Sequence, residues 1–289
     1  MQFAAPHPDL RPYVTTYYSA EISSSDGTPI EDLLYPEWAS VRYLCDGAVS
    51  GGHYLEEITP TPPVTVVGPS SLATRMTCTS LHVSSFGLLP LGWHHFVGLR
   101  ASDFADNVVD ANDIKAKVDF ASLHSAVANC RDISDVATVF DNALLTTMMQ
   151  FPASQRKNDA MIEALHRSLI DPDIHSVGEI AERLNLTGAQ IERLSKRVFG
   201  FTPKLLIMRQ RFLRTLDLQI RQPKAKWGDI LDPQYHDQAH FNRDFQRFFG
   251  MSPTQYVALE QPIISVAAQA RMAALGDPLQ GLHAPSDKA

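Results

Sequence analysis

Glutamine, asparagine and arginine side chains can each form two hydrogen bonds to a base edge in the major groove of DNA. Two segments of this 289-residue chain present them at helical spacing. The first offers Ala189, Gln190, Glu192, Arg193 and Lys196, and the second Gln238, Ala239, His240, Asn242 and Arg243. Each set lies off an apolar stripe, formed by Ile191, Leu194 and Val198 in one case and by Phe241, Phe245, Phe248 and Phe249 in the other. Each therefore reads as the polar face of an amphipathic helix. Arg193 and Arg243 are the candidates for guanine or phosphate contacts, and Glu192 for accepting from cytosine or repelling wrong sites. A solvated charged surface is the common use of such a face. Duplication argues for more: Arg197-Val198-Phe199-Gly200-Phe201-Thr202-Pro203 returns fifty residues later as Arg247-Phe248-Phe249-Gly250-Met251-Ser252-Pro253.

The elements that must hold these faces follow from local signals. Ser176 can cap a helix carrying Val177, Ile180, Ala181 and Leu184 on one stripe. Asn185-Leu186 supplies a turn, and Thr187 caps a second helix that ends at Gly200. Thr202 then caps a helix opening on Pro203, with Leu205, Leu206, Phe212, Leu213, Leu216 and Ile220 on its buried side. Running from Pro203 to Ile220, it would span roughly 27 Å, close to the ~34 Å repeat of one groove face. In the second copy, Trp227 to Ile230 precedes a break at Asp232-Pro233, and Asp237 can cap the helix with the phenylalanine stripe. A proline inside a helix costs about 3 kcal/mol, so the supporting helix of this copy should stop by Leu231.

From about Ser176 to Tyr256 the chain resembles the tandem helix-turn-helix domain of the AraC/XylS family of bacterial transcription regulators. The resemblance rests on Ile180-Ala181, Leu184, Leu186, Arg193, Gly200, Pro203 and Arg209 in the first unit. In the second it rests on Tyr235, Asp237-Gln238, His240-Phe241, Arg243, Phe245, Phe249-Gly250 and Ser252-Pro253. It implies that the ten polar-face residues above occupy base-facing positions and that double-stranded DNA is the partner. A homodimer is expected, since it would present two readers to paired half-sites, and RNA polymerase is a candidate contact. The family pattern usually has an alanine near Leu231 and a glycine before the tyrosine, where this chain reads Leu231-Asp232-Pro233-Gln234-Tyr235.

Charge fits once it is localised. The whole chain carries −7, yet residues 183–226 hold eleven Lys/Arg against Glu192 and Asp217, a local +9 that leaves −16 elsewhere. An acidic body with one basic stripe discourages indiscriminate DNA binding and makes affinity depend on salt. At 44% hydrophobic and 20% charged residues the chain is of ordinary globular composition. The start, Met1-Gln2-Phe3-Ala4-Ala5-Pro6-His7, reads as no signal peptide, and no segment approaches a membrane span. The cytoplasm is the expected location and no membrane is expected. Cys45, Cys78 and Cys130 are too few and too scattered for a zinc site or a disulfide framework, so reduced, structural thiols are expected.

Upstream the pattern changes. Tyr13 to Ile22, Val41 to Cys45, His53 to Ile58, Val64 to Val67, Met76 to Cys78 and Leu81 to Leu89 read as short strands punctuated by proline and glycine. That predicts an antiparallel barrel or sandwich. Val118 to Cys130 and Ile133 to Gln150 read as helices, and polar Ser154 to Asp159 as a hinge. The expected class is thus α+β, with a cupin-like β-rich sensory domain over 1–105 and a helical connector with dimerisation helices over 106–158. A tandem helix-turn-helix domain follows over 159–260, and then a partly disordered tail over 261–289. The cupin-like assignment comes from the resemblance, since such sensory domains precede many readers of this family.

Tyr17, Trp38, Tyr43, Tyr54, His82, Phe86 and Trp93 form a candidate effector pocket, although each would serve equally to pack a core. His53, His82, His94 and His95 lack the close spacing and downstream glutamate of a metal cupin, so neither metal nor cofactor is expected. Nothing resembles a catalytic set: Ser84-Ser85 lacks the paired glycines of a nucleophile elbow, and His94-His95 has no acidic orienter nearby in sequence. The expected function is a sequence-specific, effector-controlled transcription regulator and not an enzyme. Two alternatives stand beside it: a ligand-free amino-terminal domain used for dimerisation or protein contact, and a DNA-repair alkyl acceptor fused to the same reader. The second would need four zinc-binding cysteines.

Overall fold

The computed structural model describes residues 1–151 and 155–285. Its β-rich half is one antiparallel sheet of eight strands: β1 (Gln2–Ala4), β2 (Val14–Ser23), β3 (Ile30–Leu34), β4 (Ala39–His53), β5 (Thr59–Pro60), β6 (Val64–Val67), β7 (Thr74–Leu88) and β8 (Val108–Asp110). The order is β1-β2-β7-β4-β6-β8, with β3 added to β7 and β5 to β4. Among the described residues the terminal strands β1 and β8 do not pair, so the sheet is open rather than a closed barrel. Two runs expected as separate strands, Met76 to Cys78 and Leu81 to Leu89, are parts of the single long β7. His53 to Ile58 is a turn and not a strand, because β4 itself extends to His53.

Alternation along the strands gives the sheet two unlike faces. Tyr17, Val41, Tyr43 and Phe86 point to one face, where Phe140 of α3 (Ile133–Met148) meets Tyr17, Tyr43 and Phe86 at ring separations of 5.4, 5.3 and 4.9 Å. Tyr18, Ala20, Ile22 and Arg42, one residue out of phase, line a cavity instead. Two short helices precede α3: α1 (Pro90–Gly92), which runs into a π-helical turn at Trp93–Val97, and α2 (His124–Ala128). The helix expected over Val118 to Cys130 is mostly a 3-10 turn followed by α2. Of the hinge expected at Ser154 to Asp159, Ser154 lies outside the described residues. Gln155–Asn158 is a 3-10 turn leading into α4 (Asp159–Ile170).

The helical half continues with α5 (Val177–Leu184), α6 (Gly188–Phe199), α7 (Pro203–Arg221), α8 (Gln238–Phe249), α9 (Pro253–Val257) and α10 (Ile264–Leu275). The supporting helix of the second unit is reduced to a 3-10 turn, Trp227–Asp229. That is shorter than expected and agrees with the block that Pro233 imposes. The core does not respect the boundary between halves. Ile162, Leu165, Ile180, Ile191, Val198 and Phe199 join the same buried cluster as the sheet, while the phenylalanines of α8 pack with Phe212, Leu216 and Tyr256 and also with Leu33 and Ala73. Among the described residues no helix is long and apolar enough to cross a membrane.

The carboxyl-terminal segment differs most from expectation. There α10 lies against β1 and β3, and Arg221 of α7 donates at 3.1 Å to the carbonyl of Gly276, which ends it. The stretch after Gly276, part of the tail expected to be partly disordered, forms a 3-10 turn at Gln280–Leu282 as far as the described residues reach, with Leu279 buried. Its hydrogen-bonding groups find partners on the sheet and on α7, which sequence spacing could not reveal.

Candidate nucleic-acid interface

The two polar-face helices are built alike. Thr187 caps α6 through a hydrogen bond from the Gln190 amide, and Asp237 caps α8 through one from the His240 amide at 2.6 Å. Both close on a left-handed glycine, Gly200 at φ +84° and Gly250 at φ +72°, a conformation that other residues adopt only with strain. Ile191 and Val198 of α6, like Phe241, Phe245, Phe248 and Phe249 of α8, are buried. Ala189, Gln190, Glu192, Arg193 and Lys196 are exposed, as are Gln238, Ala239, Asn242 and Arg243.

Within these faces the side chains are not equally free. Gln190 Oε1 accepts from the Thr187 amide at 2.8 Å, completing a capping box, so its carbonyl is engaged and its NH2 group is left. Glu192 and Lys196 pair at 2.7 Å across one turn. His240 is half-buried: Tyr235 packs edge-on against its ring at 5.1 Å, and its Nε2 lies 3.1 Å from Arg211 Nη2. Burial, then the charge of Arg211, holds the His240 ring below its ordinary pKa, which makes it a neutral acceptor. Arg193, Asn242 and Arg243 carry no ion pair or side-chain hydrogen bond among the described residues. A guanidinium or amide with no prior partner costs little to redirect to a base or a phosphate.

A buried ion pair holds α8 on the linking helix. Arg211 Nη2 donates to Asp244 Oδ2 at 2.5 Å, the Tyr235 hydroxyl donates to the same oxygen at 3.0 Å, and the Arg211 guanidinium sits 4.4 Å from the Tyr235 ring centroid. Much of the basic stripe is thus internal or matched. Arg209 and Arg211 are buried, Arg214 pairs with Asp232, Arg183 with Asp171 and Arg221 with Asp217. Among the described residues, the cations of that stripe without an ion pair are Arg193, Arg197, Lys204, Lys224 and Lys226.

Residues 180–258 match a family model described as a helix-turn-helix domain. This segment is an AraC-type helix-turn-helix domain. The chain is also similar in structure to ToxT from Vibrio cholerae strain SCE256 with a bound unsaturated fatty acid, at 10% identity and a TM-score of 0.47, over 87% of this chain and 97% of that one. A second crystal form of Vibrio cholerae ToxT gives 12% identity and a TM-score of 0.46 over 89% and 98%. Likeness at that level transfers no ligand and no residue role. No curated protein matches.

The sheet grips the AraC-type domain at both of its repeated glycines, a contact the duplicated phrase did not reveal. A β-carbon on Gly200 would meet Pro69 Cγ at 2.9 Å, and one on Gly250 would meet the Tyr54 ring at 2.4 Å. The Tyr54 hydroxyl donates to the carbonyl of Arg247 at 2.6 Å, and the Ala73 amide donates to that of Phe248 at 2.7 Å. Between the two units, Arg209 of α7 is fully buried, 4.2 Å from the Trp38 ring centroid, and its Nη1 donates to the carbonyls of Glu37 and Ser70. Burial lowers its pKa to about 9, so it stays charged at neutral pH. Arg209 thereby fastens α7 to the loops of the sheet domain.

The seven pocket candidates do not line the cavity. Tyr17, Trp38, Tyr43, Phe86 and Trp93 are closed core, Tyr54 sits on Gly250, and His82 Nε2 lies 3.2 Å from Ser19 Oγ. The cavity, of about 180 Å³, lies on the opposite face beneath α10. His94 and His95 do find an acidic partner, in Asp159, sixty-four residues from His95: His95 Nε2 and Asp159 Oδ1 are 2.8 Å apart, and the ligand atoms of all three residues lie within 4.8 Å. Burial, then the charges of His95, Arg197 and Lys117, lowers His94 to about 4. The cluster joins the π-helical turn to α4.

Proposed function

We propose that this chain is a sequence-specific DNA-binding transcription regulator in which α6 and α8 enter the major groove. The observation that carries this is the matched pair of helices in an AraC-type domain, each capped and glycine-terminated, with exposed arginine and amide side chains that have no prior ion pair. Arg193 and Arg243 read guanine or hold phosphate, Asn242 reads adenine, and the free NH2 groups of Gln190 and Gln238 supply further donors. Arg197, Lys204, Lys224 and Lys226 add the salt-dependent attraction. Cytoplasmic location, a homodimer and contact with RNA polymerase belong to the same reading.

The cavity under α10 supports a small-molecule effector, because a sheet domain used only for dimerisation or protein contact needs no such space. Control then follows from the grip on Gly200, Gly250 and Arg209: a ligand that favours one arrangement of the sheet shifts the population of reader geometries. The alkyl-acceptor alternative is disfavoured by the thiols themselves. Burial pushes Cys45, Cys78 and Cys130 above the usual thiol range, the opposite of what an attacking thiolate needs.

The test is selection from a random duplex pool, followed by anisotropy titration of the selected site. Arg193→Ala and Arg243→Ala should each weaken it by about 1–3 kcal/mol with unchanged circular dichroism. Unchanged affinity in both variants would sink the assignment.

A further inference from the structure

Residues 261–285 lie beyond the helix-turn-helix match and close the cavity face of the sheet. Three sets of contacts pin them. Asp32 Oδ2 on β3 accepts from the amides of Ile263 and Ile264 at 2.7 and 2.8 Å, where α10 begins. Gln280 Nε2 donates to the carbonyl of Ala39 on β4 at 3.2 Å, and Gln210 Nε2 on α7 donates to that of Gly281 at 3.0 Å. One strap therefore touches the sheet, the cavity and the helix that links the two readers.

Arg271 is the unusual residue of this strap. It lines the cavity at 4% exposure, and its Nε and Nη1 have no hydrogen-bond partner among the described residues. Its Nη2 lies 3.4 Å from His283 Nδ1. Burial, then the charge of Arg271, holds His283 down to about 4, so that neighbour is neutral and offers no countercharge. The nearby carboxylates are committed elsewhere: Glu37 to Arg42 at 2.8 Å, Asp277 to Arg221 at 3.4 Å, and Asp32 to the two amides.

The rest of the cavity wall is largely apolar, with Ile22, Leu34, Met76, Leu81, Val83 and Ile264 prominent. Burial lowers the Arg271 pKa only to about 10, so the cation persists at neutral pH. A buried guanidinium with free donors and no counterion is an unfavourable arrangement that an anion relieves. At about 180 Å³ the space exceeds the roughly 150 Å³ that admits a benzene ring.

We propose that this cavity takes an apolar monocarboxylate, whose carboxylate pairs with Arg271 while its hydrocarbon body packs against β2 and β7. Occupancy then reaches α7 through the strap. This rests on reading the cavity as the effector site and names the chemistry of its ligand.

The probe is octanoate, with 1-octanol as its uncharged match, titrated calorimetrically into the full chain without DNA. Octanoate should bind at least tenfold more tightly than octanol. Arg271→Met should abolish that preference while leaving octanol binding intact, and Arg271→Lys should retain part of it. Because the methionine variant removes an unmatched buried charge, it should melt no lower than the wild type. Hydrogen exchange of residues 263–285 and of α7 should slow with octanoate in the wild type and not in Arg271→Met. The proposal is overturned if neither probe binds, if both bind equally to the wild type, or if Arg271→Met leaves octanoate affinity unchanged. Since DNA is absent, such a failure would leave the groove-reading assignment untouched.

Discussion

Asp244→Ala is the perturbation most directly set by the geometry of the reader. The carboxylate is 4% exposed, accepts from Arg211 at 2.5 Å and from the Tyr235 hydroxyl at 3.0 Å, and fastens α8 to α7. Removing it strands a buried guanidinium and a buried hydroxyl, and breaking a buried pair on one side costs about 3–5 kcal/mol. At about 2–4 °C per kcal/mol for a chain approaching this size, the melting temperature should fall by roughly 6–20 °C. Urea unfolding followed by circular dichroism measures the same loss at constant temperature. Because the penalty comes from the uncompensated cation, Arg211→Met combined with Asp244→Leu should recover most of it, since apolar replacement of both partners is often close to neutral. In DNA titrations, Asp244→Ala should blur discrimination at the bases read by α8 and spare those read by α6. The reasoning fails if the single variant lies within about 1 kcal/mol of the wild type, or if the double variant is no more stable than the single one.

Two further outcomes follow from the grip of the sheet and from a buried histidine. Gly250→Ala places a β-carbon 2.4 Å from the Tyr54 ring at φ +72°, so it should cost at least the ~1–2 kcal/mol of left-handed strain and release Tyr54 from Arg247; hydrogen exchange of residues 53–58 would report that release, and protection unchanged from the wild type would contradict it. His166, packed against Trp38 and Phe199, is lowered to about 3 by burial, then by the charges of His283, Arg209 and Arg167. The unfolded chain therefore binds a proton that the folded chain refuses, and its contribution is fully present above about pH 6.5 and lost as pH falls toward 3. Between pH 7 and 5, His166→Phe should flatten the fall in urea midpoint by an amount equivalent to about 2 kcal/mol, and an unaltered slope would assign the pH dependence elsewhere.

The reader was legible because its signals are local. Thr187, Thr202, Asp237 and Ser252 each bond to an amide three residues away, and Gly200 and Gly250 each end the helix they follow. The apolar stripes of α6 and α8 likewise repeat within one or two turns, so a dozen consecutive residues specify both the helix and its exposed face. The shortened second support was foreshadowed by Pro233, for an equally local reason.

The sequence by itself thus determined the two capped amphipathic helices, the helix that joins them and the existence of an antiparallel sheet ahead of them. Only the tertiary structure decided which sheet face is core: alternation separates Tyr17 from Tyr18, but it cannot say that α3 covers one and that the other looks into a cavity closed by α10. The same is true of Arg209 against Trp38, Gly250 against Tyr54, Asp159 against His95 and Gln280 against Ala39. Each of these unites residues between sixty-four and more than two hundred positions apart. Period and capping act over a few residues, whereas such contacts exist only after the whole chain has collapsed and its buried donors and charges have found partners.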